Sequence, residues 1–223
     1  MKNFKKEEID AAFLGSFTGA LAINQLGVVP LVRPINMDNT STYQGYIFAR
    51  KDSNITSVAD MKGKSVALVE KTTAGFVFPL AWLKRHGIDD SSTFFNEKFI
   101  SGSHDRTISL VLNGKADVGA AKSTIYKNMR RWQPRIDREL VILANSPKVP
   151  SNTFCVSKKL DRQYREQLKG LLLNLRGDQG GREVLQQLDA KRFIETNKDQ
   201  YQPVFDLAKE VGIDLKKYAF QSP

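Results

Sequence analysis

The sequence lacks features that several classes of protein require. It contains one cysteine, Cys155, so an internal disulfide is excluded. No run of eighteen apolar residues occurs, and no transmembrane helix is predicted. The HExxH, GxSxG and P-loop spacings are also absent, which leaves zinc peptidases, serine hydrolases and P-loop enzymes without support. Neither a metal nor a cofactor is expected.

Basic residues outnumber acidic residues by 34 to 24, giving a formal net charge of +10 that favours anionic partners. They are divided among three segments, residues 83–87, 127–138 and 158–170, and acids are interleaved in the last. No zinc spacing, RNP-type motif or bZIP heptad accompanies them. Solvated helix faces therefore explain the charge best, and no nucleic-acid partner is expected. If the chain had a nucleic-acid-binding surface, residues 127–138, which include Trp132, would be the best candidate for it.

Strand-like runs alternate with amphipathic stretches along the chain, which predicts an α/β fold. Strands are expected at residues 9–14, 28–32, 45–50, 66–69, 98–100, 116–121 and 141–144. Helices are expected at residues 18–25, 57–63, 74–85 and 106–113. Residues 161–218 are predicted to be mainly helical. A set of leucines at helical spacing is predicted to pack in the core there: Leu168, Leu171, Leu172 and Leu175.

Two helix starts have the composition of oxyanion sites. Thr72 and Thr73 follow one predicted strand and precede a helix that begins at about Ala74. Ser103 is placed to cap the next helix, with His104 in its first turn. A helix N-terminus presents unpaired backbone N–H groups and partial positive charge, so two such termini could bind one phosphate-like anion. Ordinary helix capping is the alternative interpretation of the Thr and Ser hydroxyls.

Residues 9–22, 30–34, 41–79, 99–121 and 146–160 resemble, in order, the substrate-binding proteins of phosphonate, phosphite and phosphate ABC importers. The resemblance implies a periplasmic-binding-protein type 2 fold, with a ligand cleft between two lobes. Lobe one is expected from residues 1–46 and 151–223, and lobe two from residues 47–150. Relative to the family, lobe one is expected to lack a strand-helix-strand unit of roughly fifty residues. A truncated gene, a fragment and a shortened relative are alternative explanations.

The resemblance also assigns the ligand contacts. The phosphoryl group is expected to meet Tyr43, Thr72, Thr73 and His104, and the cap residue Ser103 is a further candidate. Where the family has a third hydroxyl this chain has Ala74, so that contact is either missing or made by the backbone N–H of Ala74. Further contacts are expected at Ser16, Ser123 and Asn152. Aminophosphonate binders of the family place carboxylates where this chain has residues 122–124 and Asn152. A lysine or an uncharged amide does not neutralise an ammonium group, so an amine-bearing ligand is not expected.

The implied function is capture of phosphonate or a related phosphorus oxyanion by lobe closure, for delivery to an ABC permease in the membrane. A periplasmic location follows from the family, although the start MKNFKKEEID lacks the apolar region of a secretion signal. One alternative is the ligand-binding input domain of a sensor protein. An enzyme with Cys155 as nucleophile and His104 as base is a weaker alternative, because a thiol in a strand lacks the activation that nucleophilic cysteines use.

Overall fold

The computed structural model describes residues 4, 6 and 8–219. The chain divides into two compact units. Unit 1 comprises the residues up to Thr42, Val149–Asp206 and the residues from Ile213 on, and unit 2 comprises Tyr43–Lys148 and Leu207–Gly212. The boundaries of unit 2 lie four and two residues before those of the predicted second lobe, residues 47–150, and unit 2 also contains Leu207–Gly212. Residues 1–3, 5, 7 and 220–223 of the predicted first lobe lie outside the described residues.

Strands are numbered in chain order, and helices are named by their residues. The strands are β1 Ala11–Leu14, β2 Val29–Asn36, β3 Thr42–Tyr43, β4 Gly45–Arg50, β5 Ser65–Leu68, β6 Glu97–Ile100, β7 Val118–Lys122, β8 Leu140–Asn145, β9 Val149–Pro150, β10 Thr153–Val156 and β11 Ala190–Glu195. The α-helices are Ser16–Leu26, Phe78–Arg85, Ser91–Phe94, His104–Leu112, Ser123–Trp132, Arg135–Glu139, Arg162–Leu173, Gln179–Gln187 and Gln202–Glu210. Among the described residues, no helix is long and apolar enough to cross a membrane.

Unit 1 is built on an antiparallel sheet with the strand order β1-β10-β2-β11. Leu31, Val32 and Phe193 belong to its buried core, and Leu168, Leu172 and Leu175 pack against them as predicted. Leu171 is 68% exposed, so the prediction that it packs in the core was wrong.

The last strand of this sheet, β11, was not predicted. It lies within residues 161–218, which were expected to be mainly helical. Its residues Ile194 and Arg192 pair with Arg33 and Ile35 of β2. The partner strand is far away in the sequence, so a local reading of residues 190–195 contains no sign of the pairing. Tertiary pairing therefore decides the structure of this segment.

Unit 2 contains a five-stranded sheet with the order β6-β5-β7-β4-β8. Strand β5 is parallel to β6 and β7, whereas β4 runs antiparallel to β7 and β8. Successive residues of a strand point to opposite faces. Phe48 accordingly packs with Ile108 and Tyr126 on one face, while Ile47 faces Leu83 on the other. Both faces of the sheet are thus covered by helices, as the predicted α/β alternation requires.

Three local predictions in unit 2 differ from the structure. The expected helix at residues 57–63 is a single 3-10 turn, Ala59–Met61. The carboxylate of Asp60 accepts hydrogen bonds from the backbone N–H groups of Thr56 and Ser57, so Ser57 is not the cap. The expected helix at 74–85 begins with a π-helical turn, Thr73–Val77, before Phe78–Arg85.

Residues 127–138 span the end of one helix and most of another, and Trp132 is 84% exposed there.

Candidate functional site

The carboxyl ends of β6, β5 and β7 meet at one edge of the unit 2 sheet. Strand β5 lies between β6 and β7, so the connections from the parallel strands diverge at this edge, which is where open α/β sheets bind ligands. Strand β4 runs the opposite way and starts at the same edge, with Gly45 paired to Lys122. The topology therefore gathers the ends of four strands, and with them most of the predicted ligand contacts.

The turn after β5 contains the first predicted cradle. The hydroxyl of Thr72 accepts a hydrogen bond from the Gly75 N–H at 3.0 Å and donates one to the Val69 carbonyl at 2.7 Å. Its single proton is thus used within the turn, and the geometry supports capping rather than donation by Thr72 to a ligand. Thr73 and Ala74 follow it and are each 1% exposed.

Two glycines allow close packing at this turn, one on β4 and one within the turn. A Cβ at Gly45 would lie 2.7 Å from a ring carbon of Phe78 and 3.0 Å from the Cα of Ala74. A Cβ at Gly75 would lie 2.7 Å from the Cβ of Val69. These positions were not singled out from the sequence, because nothing local in a lone glycine indicates which backbone approaches it. Together they fix the start of the helical segment against the sheet edge.

The second cradle lies after β6, at the start of His104–Leu112. The Ser103 hydroxyl accepts a hydrogen bond from the Arg106 N–H at 3.4 Å, which is the capping interaction expected from the sequence. A hydrogen bond from Ser103 also lowers the pKa of Asp105. The Ser103 hydroxyl and the Asp105 carboxylate therefore both form hydrogen bonds within the helix start.

His104 lies partly buried at this helix start. Its Nδ1 atom is buried and has no hydrogen-bond partner among the described residues. Desolvation, followed by the positive charge of Lys122, lowers the pKa of His104 to about 4, while Asp105 acts weakly in the opposite direction. His104 is consequently a neutral imidazole with unused hydrogen-bonding capacity at neutral pH.

Lys122 ends β7 and is the group that the sequence analysis did not include among the ligand contacts. Its Nζ lies 4.5 Å from the centroid of the Tyr43 ring, a distance at which cation–π attraction operates. Tyr43 itself is 6% exposed. Desolvation lowers the pKa of Lys122 to about 8, and no ion pair to it occurs among the described residues. The sequence analysis used this lysine only to argue against an amine-bearing ligand, although its position directly after the apolar run Val118–Ala121 is visible in the sequence.

The three further contacts expected from the sequence are distributed over both units. The Ser123 hydroxyl accepts a hydrogen bond from the Gln44 N–H at 3.0 Å, which occupies it within unit 2. Ser16 is 2% exposed at the start of Ser16–Leu26, in unit 1. Asn152, also in unit 1, is exposed, and its Oδ1 lies 3.8 Å from the position of a Cβ built on Gly15.

Cys155 is fully buried in β10 of unit 1. Burial raises the pKa of its thiol to about 12, so the nucleophilic thiolate is not populated at neutral pH. This environment gives no support to the enzyme alternative with Cys155 as nucleophile. Among the described residues there is also no group of three or more His, Cys, Asp or Glu side chains that could hold a metal ion.

The fold is that of the periplasmic binding proteins of type 2, which confirms the expected class. The chain superimposes with a TM-score of 0.78 on PhnD1 from Prochlorococcus marinus, solved in complex with methylphosphonate, at 21% identity over 95% of this chain and 82% of that one. A binding protein component of an ABC phosphonate transporter from Pseudomonas aeruginosa gives a TM-score of 0.79, at 19% identity over 99% of this chain and 75% of that one.

Within that class the chain belongs to the family of periplasmic substrate-binding proteins of phosphonate ABC transporters, whose model matches residues 1–201. The family resemblance read from the sequence is thereby confirmed, and the family is one of solute-binding proteins. The chain is 25% identical to the probable phosphite-binding protein PhnD1 of Prochlorococcus marinus, over 96% of this chain and 74% of the relative. It is 19% identical to the phosphonates-binding periplasmic protein of Escherichia coli and spans 62% of that relative's length.

Proposed function

We propose that this chain binds a small phosphorus oxyanion, namely phosphonate, phosphite or phosphate, as the periplasmic solute-binding component of an ABC importer that serves a membrane permease. The observation that carries the proposal is the presence of His104 and Lys122 at the carboxyl edge of the unit 2 sheet, where the lysine charge acts on the imidazole. One offers unused hydrogen-bonding capacity and the other a positive charge without an acidic partner. A relative named for phosphite and a structural neighbour solved with methylphosphonate support this ligand class.

The proposed contacts combine charge and hydrogen bonding. Neutral His104 has one N–H to donate, and protonated Lys122 has three. Hydrogen bonds to an oxyanion from a charged donor are shorter and stronger than bonds between neutral groups. A bound dianion also favours the protonated imidazole, which raises the pKa of His104 from its low value in the free protein. Thr73, in the turn after β5, is proposed to add a hydroxyl, and Tyr43 holds the lysine amine in place.

The proposal is tested by isothermal titration of the purified chain with methylphosphonate, phosphite and phosphate, with sulfate as the control anion. We expect at least one phosphorus oxyanion to bind with micromolar affinity or better. His104→Ala should weaken that binding at least tenfold, because a hydrogen bond to a charged group contributes about 1.5 to 3 kcal/mol.

The chain offers a matched control in its other histidine. His86 is exposed, and its Nδ1 lies 2.8 Å from the carbonyl of Trp82 at the end of Phe78–Arg85. His86→Ala should leave the affinity unchanged. An equal loss in both variants would contradict the assignment of His104, and absence of binding by a chain shown to be folded would contradict the proposed function.

The two threonines of the first cradle can be separated in the same assay. Thr72→Val removes a cap and should lower the free energy of unfolding by about 1 kcal/mol. Thr73→Val should instead weaken anion binding about tenfold, the size of one hydrogen bond to a charged group. If Thr73→Val binds as tightly as the wild type, the Thr73 hydroxyl is not a ligand contact.

A further inference from the structure

We propose that Lys122 determines which ligands the site accepts, by receiving one negative charge of the oxyanion and by excluding phosphonates that carry an amine. The inference rests on the proposed function, because it specifies the charge of the ligand that the same site binds. It assigns the choice of ligand to a residue at the end of a central strand of unit 2.

The first support is that the backbone on both sides of Lys122 is fixed. Lys122 pairs with Gly45 in the antiparallel ladder between β7 and β4. The next residue, Ser123, donates its backbone N–H to the Gln44 carbonyl at 2.8 Å and accepts from the Gln44 N–H at 3.0 Å. The lysine side chain therefore leaves from a rigid position, and its amine rests 4.5 Å from the centroid of the Tyr43 ring.

The second support is the charge around the amine. The titratable side chains beside it are Tyr43 and His104, and neither carries a negative charge at neutral pH. The nearest acid on the helix of His104 is Asp105, which already accepts a hydrogen bond from Ser103. Removing an ammonium group from water without a counter-charge is unfavourable. An anionic ligand supplies that counter-charge, and the free protein is left with a net positive site.

The discrimination between ligands follows from this positive charge. At pH 7 the amine of Lys122 is mainly protonated, since its pKa is lowered only to about 8. An aminoalkyl phosphonate would bring a second ammonium group into the same partly desolvated region, where like charges repel strongly. Methylphosphonate brings a methyl group instead. The site should therefore prefer the amine-free ligand.

The test compares methylphosphonate with 2-aminoethylphosphonate by isothermal titration at pH 7. The wild type should bind methylphosphonate at least tenfold more tightly. Lys122→Gln should weaken methylphosphonate binding about tenfold, as expected for loss of a charge-assisted hydrogen bond, and should reduce the preference. Lys122→Glu should reverse the preference in favour of the amine-bearing ligand, because a carboxylate attracts the ammonium group and repels the phosphonate.

Lys127 provides the matched control. It is exposed on Ser123–Trp132, the helix that starts directly after Lys122. Lys127→Gln removes the same unit of net charge without touching the sheet edge. It should leave the preference between the two ligands unchanged, which separates a local effect of Lys122 from general attraction of anions by a basic protein.

A second measurement checks that the Lys122→Gln protein is folded and that the amine lies beside His104. The chain has two histidines, so proton NMR can follow each imidazole during a pH titration. Loss of the lysine charge should raise the pKa of His104 in the ligand-free protein.

The outcomes distinguish the inference from the proposed function. If the wild type binds methylphosphonate and Lys122→Gln keeps the same preference, the role of Lys122 is overturned and the proposed function stands. If the wild type prefers 2-aminoethylphosphonate, the exclusion of amines is also overturned. If the folded wild type binds no phosphorus oxyanion, both fail together.

Discussion

Part of the destabilisation of unit 2 at low pH should come from His104. Its pKa is lowered from 6.5 to about 4 in the folded chain, first by desolvation and then by the charge of Lys122. Between these two pH values the unfolded chain binds a proton at this position and the folded chain does not. The free energy of unfolding therefore falls as the pH drops below 6.5, and the loss is complete below about pH 4.

The size of the effect follows from the two pKa values. Between pH 7 and pH 5, His104 alone should remove about 2 kcal/mol from the free energy of unfolding. With a urea m-value of about 2 to 3 kcal/mol/M, the midpoint of unfolding should fall by about 0.7 to 1 M. Other groups titrate in this range too, so the quantity to compare is the difference between the wild type and His104→Gln.

Tryptophan fluorescence is the suitable assay, because both tryptophans of the chain, Trp82 and Trp132, lie in unit 2. Urea unfolding should be followed at pH 7 and pH 5 in a buffer without phosphate. His104→Gln should lose about 2 kcal/mol less than the wild type on acidification. His86→Gln, which alters an exposed imidazole beside Trp82, should behave as the wild type does. The same acid sensitivity in the wild type and His104→Gln would refute the idea that His104 is held neutral by burial.

Three further predictions concern other parts of the chain. Gly45→Ala should lower the free energy of unfolding by about 1 to 3 kcal/mol, because its Cβ would overlap neighbouring atoms. Gly170 is a helical position with open space around it, so Gly170→Ala should raise the free energy of unfolding by up to about 1 kcal/mol. Urea unfolding measures both variants, and equal effects would contradict the close packing at Gly45. A maleimide should label Cys155 slowly in the native chain at pH 8 and quickly in urea, whereas rapid native labelling would show that the thiol is not buried. Titration calorimetry across pH 7 to 9 should show methylphosphonate affinity falling as Lys122 loses its proton near pH 8, and the same decline in Lys122→Gln would assign it to another group.

Much of the fold could be predicted because its signals are local. Apolar runs that end at glycine or at a hydroxyl pair located β1, β2 and β4 to β8 to within a few residues of their observed bounds. Strand β11 was missed because its structure depends on pairing with β2, which lies about 160 residues away. The inclusion of Leu207–Gly212 in unit 2 was missed for the same reason. The salt bridge between Glu210 and Arg85 that accompanies this packing joins residues 125 positions apart.

The candidate site shows the same division between local and distant information. Capping hydroxyls can be read from the sequence, and Thr72 and Ser103 do cap the segments that follow them. The environment of Lys122 could not be predicted from the sequence, because its neighbours Tyr43 and His104 are distant from it in the chain. The pairing of β7 with β4 and the order of the parallel strands bring them together. The sequence analysis therefore proposed hydroxyls, Tyr43 and His104 as ligand contacts but not Lys122, whose charge acts on His104 in the structure.

The lowered pKa values of His104 and Lys122 have one physical origin and one consequence for function. Both side chains are removed from water, and the charge of Lys122 further disfavours protonation of His104, while Asp105 acts weakly in the opposite direction. The free protein thus keeps an unfavourable electrostatic arrangement at the edge of its sheet. A bound oxyanion reverses it, because negative charge favours protonation of both groups at once. The electrostatic strain of the free state and the affinity for an anion are therefore coupled, so a substitution that relieves the strain by removing a cation should also weaken binding.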